Sequence, residues 1–541
     1  MGSTPEQEIS DRDFEALRHS LLSRRRLLQY GATGAGALAA RPFARVSSAA
    51  AAMQDEQPQP GGRLKVIYTN DPDVLDPHLT SSIAAIRVID LVYETLLGFD
   101  ENQQLIPVLA ESWEVPDDTT YVFHLRQGVT FHNGRPLVAD DVKYSYERIM
   151  DPKTGSPQTW YFSAVDTIET PDQATVKITM KTPFAPFLNA LAQPQPGSIV
   201  PKEEVEKQGG TLNQQAVGTG PFILKEWVPT TKVTYDRNPN YWMAGKPYLD
   251  GIDVTIQGDE AVISTAIRAK STDFVDYVPP KDFDNLKSMD DLTLIEFTGT
   301  DWEYLGFNTQ KKPFDDKRVR QAIAWTVNVD DVVQKAYFGH ATKLTCGPLP
   351  DWSWAHCTDT AYPAPDLEKA KALLQEAGYA DGFKMTITMG RPAATYNAAA
   401  EITKAALKQI GIDAEIDGME WGTWVDKVIN QKDFESTITG WHSFIDPDQY
   451  LYPEFHTGEF WNWYSYSNPQ VDQLLEQGRT TLDQEQRKTI YVQLQQLLAD
   501  EAVYVFYTND NVLKGHFNNV KGYQAVPSAS NIFFRETWLA K

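Results

Sequence analysis

The sequence predicts an α/β fold built as two lobes. Short stretches that alternate apolar and polar residues, as strands do, are interleaved with longer stretches of helical periodicity. The interleaving begins near residue 64 and restarts after about residue 304, which favours two α/β lobes over a single sheet. A chain of 541 residues, 42% of them hydrophobic, is also large enough to bury several cores.

The first block contains five predicted strands and two predicted helices. Period-two alternation predicts strands at 64–68, 121–125, 176–180, 232–235 and 252–256. Helices are predicted at 139–150 and 260–269. The first of these helices opens on Asp140 and Asp141, where the helix dipole favours acidic side chains.

The second block repeats the pattern with longer helices. Asp315 and Asp316 precede a helix that carries Val319, Ala322 and Ile323 on one face. Helices are predicted at 316–327, 366–377, 395–410, 468–478 and 483–499, and strands at 384–389, 412–417, 434–439 and 503–507.

Composition excludes several classes of function. The chain has 49 Lys and Arg against 73 Asp and Glu, a net charge of −24, so it lacks the basic surface that nucleic acids require. No run of 18 apolar residues is present to span a membrane. The nine histidines form no HxH or HxxH pair and there are only two cysteines, so no metal site and no cofactor are expected.

Residues 1–54 differ from the rest of the chain. Arg24 and Arg25 precede a weakly apolar stretch rich in Gly and Ala, and four alanines follow at 49–52. This pattern resembles a twin-arginine export signal with a small-residue cleavage site. The alternative is an amphipathic helix of the mature fold, which the glycines at 31, 34 and 36 disfavour. Cleavage would leave a soluble protein in the periplasm or another extracytoplasmic compartment.

Several longer motifs are more specific than composition. They occur in the following order: AESW at 110–113, YVFHLRQGVTFHNG at 121–134, PLVADDVKYS at 136–145, GTGPF at 218–222, RNPNYW at 237–242, LGFN at 305–308, PFDDKRVRQAI at 313–323, EKAKALLQEAGY at 368–379, and GW at 440–441 with DP at 446–447. In order and spacing they resemble the family-5 extracellular solute-binding proteins, the receptors of peptide/nickel-type ABC importers.

The resemblance implies a periplasmic-binding-protein-like clamshell of two lobes. Lobe I would comprise 55–93, 209–303 and 508–541, with an accessory subdomain at 94–208, and lobe II would comprise 304–507. The ligand would lie in the cleft and closure would be a hinge motion. The closed protein, expected to be a monomer, would then deliver the ligand to ABC permease subunits in the membrane.

Cys346 and Cys357 are eleven positions apart in a segment rich in Trp and Pro. In an oxidising compartment this favours a disulfide, and the alternative is two free buried thiols.

Tryptophan is concentrated in the second block, where nine of the 14 fall between residues 302 and 463. Aromatic faces hold rings and aliphatic chains in a cleft with few rotamers to freeze, although each could equally be a core residue. The predicted ligand-binding tryptophans are Trp302, Trp352, Trp354, Trp421, Trp424 and Trp441.

Two features of the GW segment depart from peptide-binding members of the family. In those members an Asp shortly after the Gly-Trp pair holds the ligand's amino group, whereas this chain has Ser443 or Phe444 there. Asp446 belongs to the family's Asp-Pro turn, and strand 434–439 offers no Arg for a terminal carboxylate. Loss of both partners disfavours a zwitterionic peptide.

Other polar residues complete the predicted site. His442 is a candidate hydrogen-bonding group or a plain wall residue, and Arg391 could meet an anionic ligand or be a solvated loop residue. Asp446, Asn70 and Tyr277 are further candidates.

The leading functional prediction is therefore a binding protein for an uncharged, oligosaccharide-like solute, with a di- or oligopeptide as the alternative. A secreted glycosidase would need two carboxylates at fixed separation, and none stands in a recognisable catalytic motif, so we do not expect an enzyme. A heme or nickel-chelate carrier is a third class, which absorbance and metal analysis would test.

Overall fold

One mixed β-sheet runs through the fold and organises it. The computed structural model describes residues 57–390, 394–442, 445–528 and 530–541. The proposed export signal, Arg391, Ser443 and Phe444 lie outside these residues. Residues 58–541 form one compact unit.

Within the described residues the strands are β1 Arg63–Tyr68, β2 Leu97–Phe99, β3 Leu105–Pro107, β4 Ala110–Asp117, β5 Thr120–Leu125, β6 Val165–Asp172, β7 Thr175–Met180, β8 Phe222–Val228, β9 Lys232–Arg237, β10 Gly251–Ile256, β11 Phe274–Val275, β12 Leu292–Phe307, β13 Ala341–Lys343, β14 Lys384–Gly390, β15 Asp413–Met419, β16 Ser436–Trp441, β17 Tyr504–Phe517, β18 Val520–Lys521 and β19 Trp538–Leu539.

The α-helices of the same residues are α1 Ile83–Ile89, α2 Ala139–Met150, α3 Phe187–Leu191, α4 Pro194–Gly197, α5 Lys202–Lys207, α6 Glu260–Arg268, α7 Pro280–Leu286, α8 Lys317–Ala324, α9 Val329–Ala336, α10 Leu367–Glu376, α11 Ala394–Leu407, α12 Trp421–Trp424, α13 Pro447–Phe455, α14 Pro469–Thr480 and α15 Gln484–Glu501. Helix α12 continues as a π-helical segment, Val425–Asn430.

The main sheet has the strand order β15-β14-β16-β12-β17-β11-β1-β10-β9-β8, with β13 paired to β17. β1 lies parallel to β10 and β11, and β14 lies parallel to β15 and β16. The two long strands β12 and β17 pair antiparallel and join these two parallel groups. They are therefore the structural connection between the two halves of the molecule.

A separate four-stranded antiparallel sheet, in the order β4-β5-β7-β6, lies in the segment 110–180. The buried side chains of α2 join the same apolar core as this sheet, with Phe123, Val142 and Ile178 fully buried. The segment thus has its own core, as an accessory subdomain requires.

The sequence predicted about half of the regular elements of the described residues, and not always their full lengths. Helix 139–150 is found as predicted, and the predicted strands between 64 and 439 all correspond to observed strands within about two residues. The α/β prediction is confirmed. The elements that were not predicted include strand β12 and helices α7, α9, α12 and α13, and β17 runs ten residues beyond the predicted end at 507.

The predicted disulfide is confirmed: Cys346 and Cys357 are bonded, with Cα atoms 6.0 Å apart. Both cysteines are buried against Ala499 of α15. The bond therefore closes a loop within the segment between α9 and α10, and the packing of both cysteines holds that loop against α15, the longest helix of the described residues. No helix among the described residues is long and apolar enough to cross a membrane.

Candidate functional site

The regular pairing of β12 with β17 breaks in the middle of both strands. Thr298 pairs with Asn511, but the next pair is Trp302 with Asn509, so residues 299–301 oppose the single residue Asp510. A Cβ atom on Gly299 would lie 2.8 Å from the carbonyl oxygen of Asp510, so only glycine fits this close approach. The irregularity thus brings acidic residues of the two strands together where the halves of the molecule join.

We call Asp301, Glu303, Asp510, Tyr337 and Tyr396 the acidic recess. Glu303 and Tyr337 are only 2% and 4% exposed, whereas the side chain of Asp301 is 39% exposed. The recess is therefore enclosed at Glu303 and open to solvent at Asp301. The Tyr396 hydroxyl lies 2.8 Å and the Glu303 Cγ 3.4 Å from the position of a Cβ built on Gly440, which places both beside β16.

The three carboxylates of the acidic recess have different electrostatic surroundings. Burial raises the pKa of Glu303 well above its ordinary value, and the charges of Asp510 and Asp301 raise it further. Burial and the charge of Asp301 raise the pKa of Asp510 to about 7. Burial acts in the same direction on Asp301, but His442 and Arg87 outweigh it and the pKa of Asp301 is lowered. The deepest carboxyl is thus the one most easily protonated.

Two predicted site residues adjoin the acidic recess. His442 follows β16, and its Nδ1 is in hydrogen-bond contact with the Asp301 carboxylate. Tyr277 has its pKa raised by burial and then by the charges of Glu260, Asp510 and Glu303, which places its hydroxyl near the same carboxylates. Both residues were predicted from the sequence, but the acidic side chains beside them were not.

A second feature, the apolar cavity, has a volume of about 90 Å³. Helix α1 contributes Ile86 to its lining, and the next residue, Arg87, exerts its charge on Asp301 of the acidic recess. The residues around it are mainly apolar, as in small-molecule sites, and include Ile86, Phe99, Ile106, Val108, Ile445, Val526, Ile532 and Phe533.

Polar atoms without a hydrogen-bond partner among the described residues also line the apolar cavity. They are Oδ1 of Asp90, the Tyr93 hydroxyl, Nε2 of Gln103, Nε2 of Gln193 and Nε of Arg535. Buried polar groups are normally satisfied, so such a set marks a place where a ligand or water completes the hydrogen bonding. Four of the five atoms can donate, which suits carbonyl or carboxylate oxygens.

Asp90 links α1 to the C-terminal segment at the wall of the apolar cavity. Its Oδ2 accepts hydrogen bonds from Ser530 Oγ at 2.6 Å and from the Asn531 backbone N–H at 2.9 Å. Burial raises its pKa to about 7. The interaction fixes the C-terminal segment that carries Ile532, Phe533 and Arg535 against α1.

Three of the predicted ligand-binding residues are core residues in the structure. Trp302 has no exposed surface and packs against Tyr304, while Trp424 is 1% exposed and its Nε1 donates to Thr437 Oγ1 at 3.1 Å. Asp446 is fully buried, caps α13 and pairs with Arg487 at 2.7 Å. These three residues therefore have packing or ion-pair roles, because no face is left for a ligand.

The other predicted tryptophans keep some exposed surface. Trp441 is half-buried beside Trp461, at 5.2 Å between ring centroids, and Trp421 is 38% exposed and stacked on Trp424. Trp352 donates from Nε1 to the Thr298 carbonyl at 2.9 Å, next to the break in β12.

The remaining site predictions lie away from the recess or outside the described residues. Trp354 packs near Tyr491 and Arg487, which is a structural setting. Asn70 is exposed, and its amide donates to Thr69 Oγ1. Arg391 is not among the described residues, so its predicted role stays a prediction.

The sequence analysis missed Glu303, Asp510, Asp90 and Arg535. A signal was present for two of them: Glu303 interrupts the apolar run WEYLGF, and Asp510 stands within TNDN between the apolar runs of β17. A carboxylate inside a buried strand is costly unless it has a function or a partner. No group of three or more His, Cys, Asp or Glu in the described part of the chain is arranged to hold a metal ion.

A fold of two halves joined by long strands, with polar groups gathered at the junction and in an apolar cavity lined by α1 and the C-terminal segment, defines a ligand-binding protein of the clamshell type. The comparisons with known proteins agree. Residues 104–462 match the model of the bacterial extracellular solute-binding proteins, family 5 Middle. The chain belongs to this family.

Curated relatives and solved structures extend the likeness over most of the chain. The glutathione-binding protein GsiB of Pectobacterium atrosepticum is 31% identical over 467 residues, which is 84% of this chain and 90% of that protein. The periplasmic binding protein DppA from Helicobacter pylori, solved with the peptide STSA, is 29% identical with a TM-score of 0.81, and the match covers 90% of this chain and 100% of that one. AgaA from A. tumefaciens R10, solved with agropinic acid, is 28% identical with a TM-score of 0.81, over 89% and 99%.

These findings establish the class of function. The protein is a substrate-binding protein of an ABC importer, which binds a small ligand and delivers it to a permease, and it is not an enzyme. The findings do not support the oligosaccharide prediction, and the peptide alternative fits them better.

Proposed function

We propose that this protein captures a short peptide or peptide-like molecule and delivers it to an ABC permease. The observation that carries the proposal is the likeness, over 84% of the chain, to a protein named for binding glutathione. The DppA structure with a bound tetrapeptide supports the same ligand class.

The apolar cavity is chemically suited to such a ligand. Its donors without a hydrogen-bond partner among the described residues, on Tyr93, Gln103 and Gln193, match the carbonyl and carboxylate oxygens that a peptide presents. Its apolar walls match a side chain. Specificity in small-molecule sites commonly arises from this combination of apolar surface with a few fixed polar groups.

Fewer tryptophans have an exposed face that could stack on a sugar in the structure than the sequence suggested. Trp302 and Trp424 are buried in the core, so of the predicted tryptophans Trp352, Trp354, Trp421 and Trp441 keep some exposed surface. We therefore place peptides first and keep oligosaccharides as the comparison set.

A binding panel tests this proposal. Mature protein would be titrated by calorimetry with glutathione, Ser-Thr-Ser-Ala, tri-alanine and three matched oligosaccharides. We expect micromolar or tighter binding to at least one of the peptides. Binding of the sugars alone would contradict the proposal. Absence of binding by both the peptides and the sugars would contradict it as well.

Gln103 and its neighbour Gln104 give a matched pair of variants for the same panel. Gln103 lines the apolar cavity with an unpartnered Nε2, whereas Gln104 is exposed and donates to the Asn102 carbonyl. Gln103→Leu should weaken peptide binding several-fold through the lost donor. Gln104→Leu should leave affinity unchanged.

We also propose, from the sequence pattern, that residues 1–54 direct export by the twin-arginine route to the periplasm, where the protein acts as a monomer. The lobe boundaries at 303/304 and 507/508 fall within β12 and β17, the strands that join the two halves. Replacing Arg24 and Arg25 with Lys should retain precursor in the cytoplasm, and unchanged export would exclude this route.

A further inference from the structure

Glu303 and Asp510 are carboxylates without a counter-charge. Both have a carboxylate oxygen that is buried and has no hydrogen-bond partner, namely Oε2 of Glu303 and Oδ1 of Asp510, and neither forms an ion pair with a described residue. The charge that acts on Asp510 is another carboxylate, Asp301. Burial therefore favours the protonated form of Glu303 in the free protein, and a cation bound beside the two carboxyl groups would favour their ionised form.

Neighbouring cations of the described residues are already engaged elsewhere. Arg87 pairs with Asp276 at 2.8 Å, and Lys514 pairs with the same carboxylate at 2.8 Å. His442 is in contact with Asp301. The acidic recess therefore holds more carboxylates than the side chains around it neutralise.

An independent observation points to a ligand in the same place. The hydroxyl of Tyr337, a residue only 4% exposed, makes no hydrogen bond of ordinary geometry with a described residue, although it lies close enough to Glu303 and Asp510 to act to lower the pKa of both carboxyl groups. A buried tyrosine normally finds a partner. The Tyr337 hydroxyl and the two carboxylate oxygens thus give three polar atoms that one ligand group could satisfy.

The chemistry of that group follows from these atoms. The recess lacks the grouping of ligands that a metal ion needs among the described residues. A primary ammonium has one positive charge and three N–H donors, and it needs acceptors only. The recess opens at Asp301, so an ammonium could enter from the solvent side.

We infer that Glu303 and Asp510 hold a primary ammonium group of the transported ligand, with Tyr337 as a third contact. The inference rests on the proposed function and deepens it, since it assigns the ligand's amino end to the strands β12 and β17. It also answers the sequence argument against peptides, because the amino group need not meet the segment after Gly440-Trp441.

The test compares free and blocked amino groups. Glutathione, Ser-Thr-Ser-Ala and tri-alanine would each be titrated beside the Nα-acetylated form, against wild type and Glu303→Gln. We expect acetylation to weaken binding to wild type by about 30-fold or more, the scale of a desolvated charge pair. Glu303→Gln should weaken binding of the free amine by about 10-fold or more and leave the acetylated form unaffected.

Glu296→Gln is the matched control, because Glu296 lies on the same strand but is bonded to His340 and Asn511. It should bind like wild type. Near-UV circular dichroism and the melting temperature of Glu303→Gln check that it is folded, and Asp510→Asn serves as the second variant if it is not.

The outcomes separate this inference from the proposed function. Equal binding of free and acetylated peptides overturns the inference and leaves the peptide proposal standing. If no peptide binds, the proposed function fails, and putrescine and spermidine become the probes. Binding of these amines that Glu303→Gln abolishes supports the inference, and absence of binding by both amines overturns it.

Discussion

At the scale of single residues, the buried acids of this protein divide into paired and unpaired groups. Asp446 and Asp448 are both fully buried, but Arg487 and Arg479 hold them at 2.7 and 3.1 Å. Burial acts to raise the pKa of Asp446, yet the charge and hydrogen bonds of Arg487 lower it overall. Asp446 thus stays ionised and structural, while Glu303 in the acidic recess has no such cationic partner among the described residues.

Removing the cation of the Asp446 pair should be strongly destabilising. In Arg487→Ala two buried carboxylates would keep only Arg479 as a permanent cation in direct contact, and breaking a buried pair costs about 3–5 kcal/mol. Urea unfolding followed by circular dichroism measures this loss. Lys488→Ala, at the exposed neighbouring position, is the control and should change the free energy of unfolding by less than about 0.5 kcal/mol. Equal stability of the two variants would contradict the structural role.

Asp90 should make stability depend on pH. Burial raises its pKa from 3.8 to about 7, so the folded protein binds the proton more tightly than the unfolded chain does. The contribution of this group to the free energy of unfolding therefore falls as the pH rises from about 4 to about 7.

The variant Asp90→Asn removes that titration. The free energy of unfolding of Asp90→Asn minus that of wild type should rise by about 1–3 kcal/mol between pH 5 and pH 8. It rises because only wild type loses the stabilising contribution of the protonated carboxyl. Denaturant titrations at both pH values measure the change. Asp118→Asn, at an exposed site, should show no such trend. A pH-independent difference for Asp90→Asn would disprove the raised pKa.

The sequence indicated part of the candidate site at the residue scale. His442 and Tyr277 were predicted, and the structure places both beside the acidic recess. Trp302 and Trp424 were also predicted, yet they are buried, because aromatic type alone does not distinguish a cleft wall from a core. Arg535 comes from the C-terminal segment, and only the tertiary contact of Asp90 with Ser530 and Asn531 brings that segment to the cavity.

At the scale of elements, local patterns predicted most strands of six or seven residues but neither the shortest strands nor the full length of the long connecting ones. Helix 139–150 has an acidic first turn and a clear apolar face, and its bounds were predicted correctly. Strand β12 was missed because Thr300, Asp301 and Glu303 interrupt the apolar pattern where the register breaks. The same groups build the acidic recess, so the failure of the local rule coincides with the candidate site.

The disulfide should stabilise the segment between α9 and α10. Closing a loop of 11 residues contributes roughly 2–3 kcal/mol in the chain-entropy model. The double variant Cys346→Ala/Cys357→Ala should lose that amount in urea unfolding, and wild type under reducing conditions should match it. A double variant as stable as oxidised wild type would show that burial against α15 alone holds the segment.

At the scale of the whole molecule, β12 and β17 constrain how the two halves unfold. Twelve residue pairs join these strands, from Leu292 with Phe517 to Gly306 with Tyr504, and they cross from one parallel group of strands to the other. The strands belong to the main sheet on both sides of the break. Neither half can therefore lose its sheet without exposing an edge of the other.

The protein should accordingly unfold in one cooperative step. Tryptophan fluorescence and far-UV circular dichroism should give coincident urea transitions. A bound peptide should shift the whole transition, by about 2.7 kcal/mol at a free concentration 100 times its dissociation constant. The acetylated peptide at the same concentration is the control and should give a smaller shift. Two separate transitions, or a shift confined to one of them, would show that the halves are stabilised independently and that the ligand binds only one of them.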